Sequence, residues 1–148
     1  MSDHMLQGID KCVNRDTFSL NVTEKPNIQS VTNLKYYCSD ASLIFEYQLK
    51  TTFGIIYFFD IVVVPPSTAA GEAYLHGYDS ATAVANGSVP DYVHPMNWTV
   101  NSKPFSVSET LSKYGIPFMN GLYMVVSNTM LTLTKSTTTG VKLQVLYL

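Results

Sequence analysis

FGIIYFFDIVVV, residues Phe53 to Val64, is the most apolar stretch of the chain. A membrane-crossing helix needs about 20 apolar residues in a row. This run is shorter and carries Asp60, so it fails as a span. Ile, Val, Phe and Tyr are strand formers, and both parities are apolar. Ile55, Tyr57, Phe59, Ile61 and Val63 form one side, and Ile56, Phe58, Val62 and Val64 form the other. The pattern predicts a strand covered on both faces, inside a β domain. Asp60 then reads as a bulge or rim residue, or one bonded to a neighbouring backbone, rather than as a catalytic carboxylate.

Outward from this strand the same class recurs. In LKYYCS, Leu34, Tyr36 and Cys38 alternate with Lys35, Tyr37 and Ser39. In SLIFEYQLK, Leu43, Phe45, Tyr47 and Leu49 alternate with Glu46, Gln48 and Lys50. Joined by the turn residues 39–42, these two predict a hairpin, with an earlier strand in Thr17 to Thr23. VPPSTAAGE, Val64 to Glu72, reads as a loop inside the domain. GIPFMNGLYMVVSNTMLTLT, Gly115 to Thr134, sets Gly115, Pro117 and Gly121 at a corner before the doubly apolar Leu122 to Val126. An alternating strand should follow, with Leu131 and Leu133 on one side and Thr132 and Thr134 on the other. YVHPMNWTV and VKLQVLYL add two more strands. Ser106 to Gly115 carries the one helical signal, an N-cap serine followed by a glycine stop. The expected fold is all-β: a single-domain antiparallel β-sandwich or jelly roll over residues 1–148, of seven or eight strands with at most one short helix. Residues 1–15 are expected to form an extended arm.

Composition narrows the function. The chain has 148 residues, 46% of them hydrophobic, enough for one core. Only 14% are charged, against about 25% in ordinary soluble domains, so Thr, Ser, Asn and Tyr make the surface. Such a surface suits permanent contacts. A net charge of -2 without a basic run leaves no footprint for nucleic-acid binding, and no membrane contact is expected. Cys12 and Cys38 lack a CxxC spacing and a histidine pair, and read as two separate free thiols, with a disulfide as the alternative, since nothing at the start of the chain indicates export to an oxidising compartment. Without that signal the sequons at Asn21, Asn86 and Asn97 read as inconsequential.

His4, His76 and His94 fall in no metal or nucleophile pattern, and Asp60, Glu72, Asp79 and Asp91 form no recognised carboxylate pair. The chain is therefore expected to be no enzyme, with no catalytic residue, metal or cofactor. The final KLQVLYL keeps apolar residues to Leu148, which points to burial in the domain or to an interface.

Three blocks in order carry a family resemblance: AYLHGYDSAT from Ala73 to Thr82, VPDYVHP from Val89 to Pro95, and GIPFMNGLYMVVSNT from Gly115 to Thr129. Their order and spacing, over roughly residues 55 to 135, resemble small β-sandwich structural proteins of tailed bacteriophage virions, with Gly77 where that pattern usually has Leu. The resemblance implies a non-enzymatic virion building block: a head decoration or cement protein, a fibre-base protein, or a neck or tail component. It would be made in the host cytoplasm, would be a homo-oligomer, and would have other virion proteins as partners. On that reading the contact candidates are Tyr78 and Asp79, Tyr92 and His94, and Tyr147 and Leu148. The alternative is a glycan- or receptor-binding module of a virion appendage, for which Trp98 and the ten tyrosines are the features.

Overall fold

A computed structural model describes residues 15–18, 34–39, 42–111 and 114–148. Ten strands run through them: β1 Arg15–Phe18, β2 Leu34–Cys38, β3 Glu46–Lys50, β4 Gly54–Val63 and β5 Gly71–Asp79, then β6 Tyr92–Trp98, β7 Phe105–Thr110, β8 Ile116–Phe118, β9 Leu122–Ser127 and β10 Val141–Tyr147. The described residues contain no helix. The strands form two antiparallel sheets, ordered β1-β2-β10-β4-β7 and β3-β9-β5-β6, with β8 alongside β4. Successive strands alternate sheets at matching positions: β2 to β3, β4 to β5, β6 to β7 and β9 to β10. Without β1 and β8, this is the eight-stranded jelly-roll order.

The central strand behaves as its composition requires. β4 lies between β10 on one side and β7 and β8 on the other. Its partners step from Phe58 to Ile56 opposite Leu146 and Tyr147, leaving Tyr57 as the extra residue of a bulge. The Tyr57 carbonyl instead accepts the Leu111 N–H at 3.1 Å. The bulge switches parity, so Ile56 joins Phe59, Ile61 and Val63 in the core, which corrects the unbroken alternation expected of this strand. Val141, Leu143 and Val145 of β10 join the same cluster, facing Leu75 of β5, Met96 of β6, and Leu122, Met124 and Val126 of β9. Each such side chain contributes about 1.5–3 kcal/mol on burial. All six residues of β9 are buried, as its doubly apolar sequence predicts.

Four local expectations give way. Residues 34–39 and 43–50 are not a hairpin: β2 pairs β1 and β10, whereas β3 pairs β9 in the other sheet. The chain between them crosses the sandwich, with Ile44 bridging Val141 on the way. Tyr37 stacks on Tyr47 of the facing sheet at 4.1 Å between ring centres. Its neighbours Leu34, Tyr36 and Cys38 are buried on the outer face of their sheet, in register with Gln144 and Leu146.

Residues 106–110 are strand rather than helix, because Phe105 and Val107 pack on the core while Ser106 and Ser108 are exposed, a period of two. Met130 to Thr134 are loop, with Leu131 74% exposed and Leu133 buried. There the Ser127 hydroxyl accepts the N–H groups of Thr129 and Thr134, folding the segment back on itself.

Cys38 is fully buried and disulfide-bonded, which corrects the free-thiol expectation for it. Cys12, Asn21, His4, the N-terminal arm up to residue 14 and the end of the Thr17 to Thr23 strand lie outside the described residues.

Candidate interaction surfaces

The outer face of the β3-β9-β5-β6 sheet carries a second layer made of loops. Residues 80–91 leave β5 and residues 128–140 leave β9, and the two are stitched together across that face. Gly87 donates to the Leu133 carbonyl and Leu133 to the Ser88 carbonyl, both at 2.8 Å. Lys135 donates its backbone N–H to the Asn86 side-chain oxygen at 2.9 Å. Beneath lie Tyr78, Tyr123, Val125 and Leu133, with Val84 packed against them. On the solvent side the same loops expose Val89 at 72% and Leu131 at 74%, with Met130 nearby in sequence at 47%.

Ionisable groups on this face serve the scaffold. His76 is fully buried, with Nδ1 3.0 Å from the Tyr78 hydroxyl, which donates to the Ser88 carbonyl at 3.2 Å. Its Nε2 makes no hydrogen bond among the described residues. Burial pushes the imidazole below its ordinary value, against a smaller opposing influence of the Thr129 and Met130 backbone, which lies near without closing a hydrogen bond. Tyr78 is pushed up to about 12, first by burial and then by the neighbouring Asp91 and Tyr123.

On the outer face of the other sheet Asp60 is buried between Gln144 and Ser108 in register. Burial raises its carboxyl, a backbone hydrogen bond at Ile61 opposes the rise, and Oδ1 has no partner among the described residues. Tyr36 donates its hydroxyl to the Gln144 side-chain oxygen on the same face. Among the described residues no three His, Cys, Asp or Glu are placed to hold a metal ion.

Of the six contact candidates, Tyr78 is 3% exposed and lies under the loops. Asp79 is a clasp: its carboxylate accepts the Asn120 N–H at 2.6 Å, and its own N–H donates to Asp91 at 2.8 Å. Tyr92 and His94 are half-buried and both meet Phe59 edge-on, at 6.0 and 5.1 Å. Tyr147 and Leu148 are half-buried at the end of β10, where Leu148 and Ile55 exchange both backbone hydrogen bonds, at 2.8 and 3.1 Å.

Tyr92 lines one small apolar cavity, and Tyr147 and Leu148 line the next; the two share Ile56, Phe118 and Leu122. Each holds about 10 Å³, far from the roughly 300–1,000 Å³ of a ligand pocket. Sequence alone missed the stitched loops, because what holds them is backbone and hydroxyl hydrogen bonding, which leaves no hydrophobic pattern.

No family model, no curated protein and no solved structure matches this chain. Trp98, the residue a sugar platform would need, is 9% exposed; its ring lies over Gly71 and its indole N–H donates to the Ala69 carbonyl at 3.2 Å. It is core rather than platform.

Proposed function

We propose that this chain is a non-enzymatic structural subunit of a phage virion, a capsid decoration or cement protein or a minor head or tail component, working through permanent protein–protein contacts. The jelly-roll strand order carries the reading, because this architecture is one that viral shells use. A fold by itself does not fix a function, so three further observations count. His76, Tyr78 and Asp79 are spent on holding loops in place. The loop layer ends in exposed Val89 and Leu131. Cys38 is disulfide-bonded, a state that persists on virion surfaces. Lectins also use jelly rolls, but the burial of Trp98 takes away the feature that favoured a glycan site.

The test is quantitative mass spectrometry of density-purified particles from cells infected with the phage that encodes the chain. A fixed copy number per particle, retained through a high-salt wash, is expected. Presence in the infected-cell lysate with absence from washed particles would overturn the proposal.

A further inference from the structure

Among the described residues five strands have an open side, and four of them carry features that block pairing with another chain. β6 has Pro95 at its centre, and β8 has Pro117. β3 shifts register between Gln48 and Lys50 and bears Glu46 and Lys50. β1 shifts register between Arg15 and Phe18. Proline, charge and bulges are how proteins protect sheet edges.

β7 has none of the structural blocks. It pairs β4 through six consecutive positions, Phe105 to Thr110, with no shift, no proline and no lysine. Its solvent side shows Ser106 and Ser108, small enough for a second backbone to approach, and Phe105 and Val107 are half-buried, so an added strand would extend the core past them. Positions 106 to 108 are Ser, Val and Ser, so an antiparallel copy centred on Val107 sets no like charges opposite each other there.

We propose that β7 joins two copies of this chain, running antiparallel about a twofold axis near Val107, so that the β1-β2-β10-β4-β7 sheet continues across the dimer. A twofold makes the edge its own complement and closes the assembly, leaving no free β7 edge for further growth. The inference rests on the proposed structural role and names the surface through which the protein meets itself.

The test uses the full chain with charge-swapped variants. In the twofold arrangement position 106 of one copy faces position 108 of the other. Ser106→Lys with Ser108→Lys therefore sets lysine against lysine, and Ser106→Glu with Ser108→Glu does the same with carboxylates. The expected results by light scattering are a dimeric parent, a monomer for each variant alone, and a dimer when the two are mixed. Asn97→Lys, on the exposed face of β6, should stay dimeric. A monomeric parent, or a lysine variant that keeps both its melting temperature and its dimeric mass, would overturn the proposal. Should a variant fail to fold, amide exchange of the parent decides: β7 amides turned away from β4 are expected to exchange more slowly at high protein concentration, and equal rates contradict the pairing. A dimer that ignores the β7 charges moves the interface elsewhere and leaves the structural role standing, since particle composition tests that role separately.

Discussion

The Asp79 carboxylate accepts the Asn120 backbone N–H at 2.6 Å, tying the end of β5 to the turn before β9 across 41 residues of chain. Asn120 and the neighbouring Met119 and Gly121 backbone hold this carboxyl below its ordinary 3.8, against a smaller upward push from desolvation. The sign follows from linkage: a depressed carboxyl stabilises the fold above its unfolded value, and that stabilisation is lost as pH falls through the folded value. Asp79→Asn is expected to melt below the parent at neutral pH, with the gap closing below pH 3.8. Thermal melts of both proteins down a pH series check this; a constant gap at every pH contradicts it.

His76 gives a slope in a different window. Neutral in the fold and pushed below 6.5 by burial, it takes up a proton more readily when unfolded, so stability should fall as pH drops below 6.5. The groups facing it are the Tyr78 hydroxyl on its own strand and the Thr129 and Met130 backbone of the covering loop; Val125 of β9 and Val93 of β6 flank it without charge. His76→Gln, neutral throughout, should flatten the urea midpoint between pH 7 and 5, at some cost in stability from the lost Tyr78 contact. An unchanged slope would place the pH dependence elsewhere.

Two glycines should respond in opposite directions. A Cβ on Gly77 meets nothing closer than 3.5 Å and enters the small cavity beside Tyr92 and Leu122. Gly77→Ala is therefore expected to stabilise by about 0.5–1 kcal/mol, the usual cost of glycine inside a strand. Gly121 sits at φ +143° with the Lys50 carbonyl 2.6 Å from where a Cβ would be. Gly121→Ala should cost about 2 kcal/mol or more. Urea titration of both variants is the measurement.

The chain end is part of the sheet. Removing Leu148 alone takes away its two backbone hydrogen bonds with Ile55, about 1–3 kcal/mol at the usual net value for each. Removing residues 145–148 also strips fully buried Val145 from the core and leaves half of β4 without its partner. Loss of the cooperative melt is expected for the longer truncation and retention of it for the shorter, both read by circular dichroism.

What the sequence made legible follows from where pattern dominates. Phe53 to Val64 and Leu122 to Val126 are apolar on both parities, and both became buried central strands, because only a covered strand tolerates that composition. The bulge at Tyr57 could not be read, since a run apolar on both sides hides a change of parity. Residues 39–42 look like a hairpin turn, yet the strands they join take distant partners in different sheets, β2 pairing β10 and β3 pairing β9. Ser106 to Gly115 carries real capping residues that long-range pairing with β4 overrides. MLTLT alternates like a strand, but the Ser127 hydroxyl captures its backbone first. Tyr78 and Asp79 stand at a strand end in the sequence, and the bonds they make depend on Ser88, Asp91 and Asn120, which only the folded loops bring near.

The most direct measurement is the absolute mass of the unmodified chain in solution, by light scattering over two decades of concentration. A protein built for permanent contact through β7 should weigh twice its 16.4 kDa at every concentration. A mass of one chain throughout the range would contradict that account.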